Sequence, residues 1–64
     1  MNLKSFYGKK GEICDVDGQI FAGIVDDYIF PEDNEDEKES IILKTETGDL
    51  VEFPSDTIEK ITVH

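Results

Sequence analysis

The stretch Phe53-Pro-Ser-Asp-Thr-Ile58-Glu-Lys-Ile61 reads as a strand end, a tight polar corner and a short closing strand. Residues 54–57 supply a single helical turn between the two strands, built from residue types that hydrogen-bond their own backbone at corners. Upstream, Asp17-Gly18 is a strong two-residue hairpin signal, in which both central positions want φ > 0. Gly48-Asp49 marks a second tight hairpin. These corners cut the chain into strands over 11–16, 19–30, 40–46, 50–53 and 58–63. Before them, Leu3, Phe6 and Tyr7 stand at helical spacing in a short opening segment that Gly8 terminates. The expected fold is all-β: a small five-stranded bent barrel with a short N-terminal helix or turn, an arrangement that limits exposed sheet edges.

The second strand has an irregular pattern. Phe21, Gly23 and Val25 share one face, and Ile20, Ala22 and Ile24 are apolar on the other. A strand wetted on one side alternates, whereas a sharply bent barrel strand buries part of both faces. A glycine within a strand marks such a bend, which assigns Gly23 an architectural role. The opening segment or a partner subunit is expected to cover the second face. One core is expected from Phe21, Val25, Leu43, Val51, Phe53, Ile58 and Ile61.

A chain of 64 residues forms one domain, 1–64, and buries only about 60% of its unfolded surface. Six lysines, no arginine and sixteen acidic residues give a net charge of −10. Phosphate attraction dominates nucleic-acid affinity, and this field has the wrong sign for it. Anionic membrane surfaces are disfavoured for the same reason. Half of the net charge sits in an acidic loop at 31–39, where six carboxylates against one lysine leave −5. Such a run is expected to be solvated, mobile and dispensable for folding. One cysteine, Cys14, cannot form an internal disulfide, and neither a signal-peptide run nor a membrane span is visible. A cytoplasmic location is the expectation.

The spacing resembles the Sm-like (LSm) family. The residues that carry the resemblance are Asp17-Gly18-Gln-Ile-Phe21-Ala-Gly23-Ile-Val25, similar to the family's first motif, and Phe53-Pro54-Ser55-Asp56-Thr57-Ile58 with Ile61, similar to its second. Leu3 through Gly8-Lys9 is similar to the family's short N-terminal helix. The resemblance implies the barrel and ring-like assembly through strand pairing. It does not imply RNA binding, because the family's Asp place falls at Ile29, its Asn place falls near Asn34 in the acidic insertion, and its Arg place is Pro54. Bases would meet acids where they need donors and stacking planes.

Few residues point to other chemistry. Asp33-x-Glu35-x-Glu37 echoes a calcium loop, but that loop needs Gly at its sixth place and Glu at its twelfth, where Lys38 and Lys44 stand. No metal site and no cofactor are expected, beyond diffuse cation association with the loop. Cys14 needs a base to become a nucleophile, and the only histidine, His64, is expected to fray. No catalytic residue is assigned, and the chain is not expected to be an enzyme. Tyr28 and Phe30 flank the acidic loop as a contact patch or as core, and Lys4, Lys9 and Lys10 form the only basic cluster. These five are the candidate binding residues. The expected function is a non-enzymatic Sm-like interaction module that binds protein or itself. Two alternatives stand beside it: an Sm-like RNA binder using the lysine patch, and an acidic nucleic-acid mimic. With so few cations, fluorescence anisotropy with oligo-U and oligo-A at about 150 mM salt is expected to show no sub-micromolar binding. Tight binding lost on mutating Lys4, Lys9 and Lys10 to Ala would reverse that expectation.

Overall fold

Two loops of one design set the register of the sheet. In the computed structural model, which describes residues 2–64, the chain forms β1 (Lys10–Asp15), β2 (Ile20–Ile29), β3 (Ser40–Thr45), β4 (Leu50–Pro54) and β5 (Ile58–Val63). Three short 3₁₀ turns accompany them at Leu3–Phe6, Pro31–Asp33 and Ser55–Thr57. Between β1 and β2, Gly18 N–H donates to Asp15 O and Asp15 N–H donates to Gln19 O. Between β3 and β4, Gly48 N–H donates to Thr45 O and Thr45 N–H to Asp49 O. Gly18 and Gly48 have φ of 84° and 88°, and no non-glycine residue of either loop has positive φ. The hairpins are therefore three-residue loops with one left-handed glycine, not the two-residue loop expected at Asp17-Gly18.

The strands form one antiparallel sheet in the order β4-β3-β2-β1-β5. β4 and β5 are its edges, and no ladder joins them among the described residues. The expected bent barrel is thus corrected to an open five-stranded sheet. The edges are blunted instead of sealed. β4 is five residues long, exposes Glu52 and ends at Pro54, which has no N–H to offer. β5 turns Glu59, Lys60 and Thr62 to water.

The irregularity of β2 lies one turn beyond the expected place. The β2–β3 register slips between Val25 and Asp27, making Asp26 the extra residue. Gly23 has a different use. It faces Gly11 across the β1–β2 ladder, and a Cβ on either residue would collide with backbone, with Lys44 O at position 23 and Thr62 O at position 11.

The core contains Leu3, Ile13, Val25, Ile41, Leu43, Phe53 and Ile58. Phe21, Val51 and Ile61, expected within it, are half-buried at its margin with Phe6 and Tyr28. Phe21 meets Phe53 edge-on at 5.1 Å between centroids, an arrangement that suits the ring quadrupoles. Packing is tight: the void lined by Phe6, Ile13, Val25, Leu43 and Ile61 measures about 10 Å³, the limit for one water. The opening turn packs on β2 and β3 and inserts Leu3 into this core. It covers the inner face, so the other face of β2 is not covered as expected, and Ile20, Ala22 and Ile24 stay exposed.

The acidic loop makes specific bonds to the sheet. Asn34 Nδ2 donates to Ser40 Oγ at 3.2 Å and to Lys38 O at 2.7 Å, and Ser40 Oγ donates to Glu52 Oε2. Ser40 is fully buried, so these bonds satisfy a hydroxyl that has no water. Ser55 N–H closes the loop on Glu39 O, and Lys38 Nζ pairs with Asp56 at 2.7 Å. Two outcomes follow for urea denaturation. Leu3→Ala is expected to cost about 2–5 kcal/mol, as for other large-to-small core changes. Asn34→Ala is expected to cost about 1 kcal/mol and to admit protease cleavage near Glu35–Glu37, whereas a mobile loop would lose nothing.

Candidate functional site

The opening turn also builds the most distinctive surface feature. Leu3 faces inward, and its neighbours Lys4 and Tyr7 reach the side of β2 where the chain leaves the sheet. Tyr7 N–H donates to Lys4 O, Gly8 N–H donates to Val25 O, and Val25 N–H donates to Lys9 O, which stitches the segment to β2. Lys4, Tyr7, Asp27, Tyr28 and Phe30 line a surface cleft of about 230 Å³.

The rings in the cleft are held at fixed angles. Tyr28 and Phe30 pack edge-on, with centroids 5.0 Å apart and planes at 84°. Tyr28 Oη donates to Glu39 Oε1 at 2.9 Å, which ties the cleft to the end of the acidic loop. The bond to Glu39 raises the Tyr28 pKa above the usual phenol value; burial and the negative charges of Glu39 and Glu32 act the same way. Lys4 Nζ stands 5.0 Å from the centroid of Phe30, in cation–π range. Tyr7 and Phe30 are 61% and 42% exposed, so the cleft presents aromatic surface to water.

The five sequence candidates therefore separate. Lys4, Tyr28 and Phe30 come together. Lys10 instead points to the outer face of the sheet, in a hollow shared with Ile24 and Lys44. Lys9 and Lys10 line a different hollow from the cleft that Lys4 lines. Tyr7 and Asp27 were missed. The signal for Tyr7 was present, because a residue next to a core-facing Phe6 in a short turn faces another way. Asp27 gave no signal, because its placement depends on the slip at Asp26.

The remaining candidates have local partners. Cys14 Sγ lies 3.7 Å from Asp15 O, and Cys14 pairs with Ile20 and Lys60 in the ladders. His64 continues the β1–β5 pairing: its N–H donates to Lys10 O, and its ring lies 3.7 Å from Glu12. Asn34, near the resembling family's Asn place, spends its amide on Ser40 and Lys38.

The chain matches no protein-family model, no curated protein and no solved structure. With the sheet open, this overturns the Sm-like reading, and the Sm-like interaction module and its RNA-binding alternative fall with it. The acidic-mimic alternative falls too. Seven of the sixteen carboxylates, those of Asp15, Asp27, Asp36, Glu39, Asp49, Glu52 and Asp56, accept hydrogen bonds within the chain instead of standing free along one surface.

The Tyr28–Glu39 bond gives a measurable signature. Because the folded pKa is raised, the bond's contribution to stability is complete below the unfolded value of about 10 and is lost as pH rises through the folded value. In a Tyr7→Phe background only Tyr28 titrates. Its ultraviolet transition is expected above that of a free phenol and is expected to move down on adding Glu39→Gln. An unmoved transition would show that the bond does not form in solution.

Proposed function

We propose that this chain is a non-enzymatic binding domain that seats a segment of another protein in the cleft of Tyr7, Tyr28 and Phe30. The observation that carries this reading is that the two exposed aromatic rings, Tyr7 and Phe30, open onto one cleft. Large rings kept in water cost hydrophobic stabilisation, and aromatic anchors in shallow clefts dominate the energetics of protein interfaces. The cleft is built on β2, the opening turn and a fastened loop, so little ordering is lost on binding.

The charge supports a protein partner over other classes. A net charge of −10 opposes nucleic acid and anionic lipid surfaces alike. Among the described residues no helix is long and apolar enough to cross a membrane. The free thiol of Cys14 supports a reducing compartment, and we place the chain in the cytoplasm on that ground. Self-association through the same cleft is the competing form of the reading, and light scattering across concentrations separates the two.

The test is a selection of random displayed peptides on the wild-type protein, followed by affinity measurement of one synthetic selected peptide. Tyr7→Ala with Phe30→Ala is expected to weaken that peptide at least about tenfold, the loss typical of an aromatic anchor. Both residues are exposed, so the melting temperature is expected to stay near wild type. Selected peptides that ignore the double variant would overturn the assignment of the cleft.

A further inference from the structure

Resting on the reading of the cleft as a protein-binding site, we propose that the partner presents a basic side chain, Lys or Arg, to the ring of Phe30, and that Lys4 is an internal competitor for that position. Lys4 is the starting observation. In a chain with sixteen carboxylates, its ammonium makes no ion pair among the described residues and stands instead over an aromatic ring. The ring face thus holds a cation in the free protein. Its centroid lies 5.0 Å from Nζ, and Tyr28 supports Phe30 from the side.

The surroundings supply the complementary charge. Asp27 lines the cleft, Glu39 accepts the bond from Tyr28, and Glu32 lies near enough to act on the same phenol. Asp26 and Asp33 flank these in the chain. Lys4 is the single cation lining the cleft. A neutral or acidic ligand would displace Lys4 and then face uncompensated carboxylates. A basic ligand replaces one cation by another and keeps the balance. Arginine suits the site well, because its guanidinium stacks on a ring while its N–H groups reach carboxylates.

Substitution at Lys4 separates this inference from the reading beneath it. The same displayed library is selected on wild-type protein, and one synthetic selected peptide is measured against wild type, Lys4→Ala, Phe30→Leu and the double variant. The selected peptides are expected to share a Lys or Arg at one position, and its replacement by norleucine is expected to weaken binding. Lys4→Ala is expected to tighten binding about two- to fivefold, the range of an exposed cation–π contact, and Phe30→Leu to abolish that gain. Lys4 is exposed, so the variant is expected to fold, and a thermal melt checks it. Peptides that need the cleft but carry no shared basic residue, or that bind more weakly to Lys4→Ala, would overturn this inference alone. A library yielding no cleft-dependent peptide would overturn both readings.

Discussion

The burial of Leu3 is the contact on which both the fold and the cleft depend. A four-residue 3₁₀ turn has too few internal bonds to persist alone, so tertiary packing must hold it. Leu3, 1% exposed, provides that packing by entering the core where the turn lies on β2 and β3. Once Leu3 is inside, the turn has no freedom left. Phe6 lies against the core, Lys4 and Tyr7 fall on the outer side, and the bonds of Gly8 N–H and Lys9 O to Val25 lock the exit. The cleft is thus a consequence of core packing and not a separate loop decoration. Its one wall belongs to the turn, and its other belongs to the end of β2 and the residues before Pro31.

The acidic surface is likewise part of the architecture. Asp15 Oδ1 accepts from both Asp17 N–H and Gln19 N–H, which replaces ladder bonds that the first loop cannot make. In the second loop Thr45 Oγ1 takes the same place, accepting from Asp49 N–H while Thr47 donates to Asp49. Around Ser40, Asn34 and Glu52 complete the only buried polar side chain of the described core. Lys38 and Asp56 stabilise each other's charged forms, Lys38 held above and Asp56 below its ordinary pKa by their shared hydrogen bond. Both are half-exposed, so this pair fixes geometry more than it adds stability.

Much of the fold was legible in the sequence. Each of the five strands was found, because Gly18, Gly48 and Pro54 punctuate it and apolar residues recur between. What the sequence did not give was closure. Strand count and turn length are the same for an open sheet and a barrel, and only the edge residues Glu52, Pro54, Glu59 and Lys60 distinguish them. The core was legible where residues alternate, at Val25, Leu43, Phe53 and Ile58. It failed at Leu3, Ile13 and Ile41, whose burial depends on how the opening turn and the neighbouring strands pack over them. Tyr28, Phe30 and Lys4 were legible as candidates, but their meeting in one cleft was not, because sequence proximity joined Lys4 to Lys9 and Lys10. Asn34 was hidden by its setting: in a run of carboxylates it reads as solvated, and only a buried hydroxyl six residues later gives it a role.

The outer face of the sheet is the natural rival to the cleft, since Ile20, Ile24 and Leu50 are also exposed. The ladder registers decide between them. Ile24 lies opposite Lys10 on β1 and Lys44 on β3, and Lys44 lies opposite Leu50 on β4. Ile24 and Leu50 each have a lysine as neighbour, and Ile20 lies apart from them, opposite Cys14. A lysine stem covers apolar surface while its ammonium stays in water, so the row is broken into single residues of the kind that any soluble sheet carries. In the cleft, Tyr28 and Phe30 touch each other, and Tyr7 faces them across a concave surface. Rings in contact form a continuous apolar surface that one partner side chain can cover at once, whereas isolated aliphatics between ammonium groups cannot. Contiguity of ring surface, not the amount of exposed carbon or the size of the hollow, therefore favours the side of the molecule built by the opening turn.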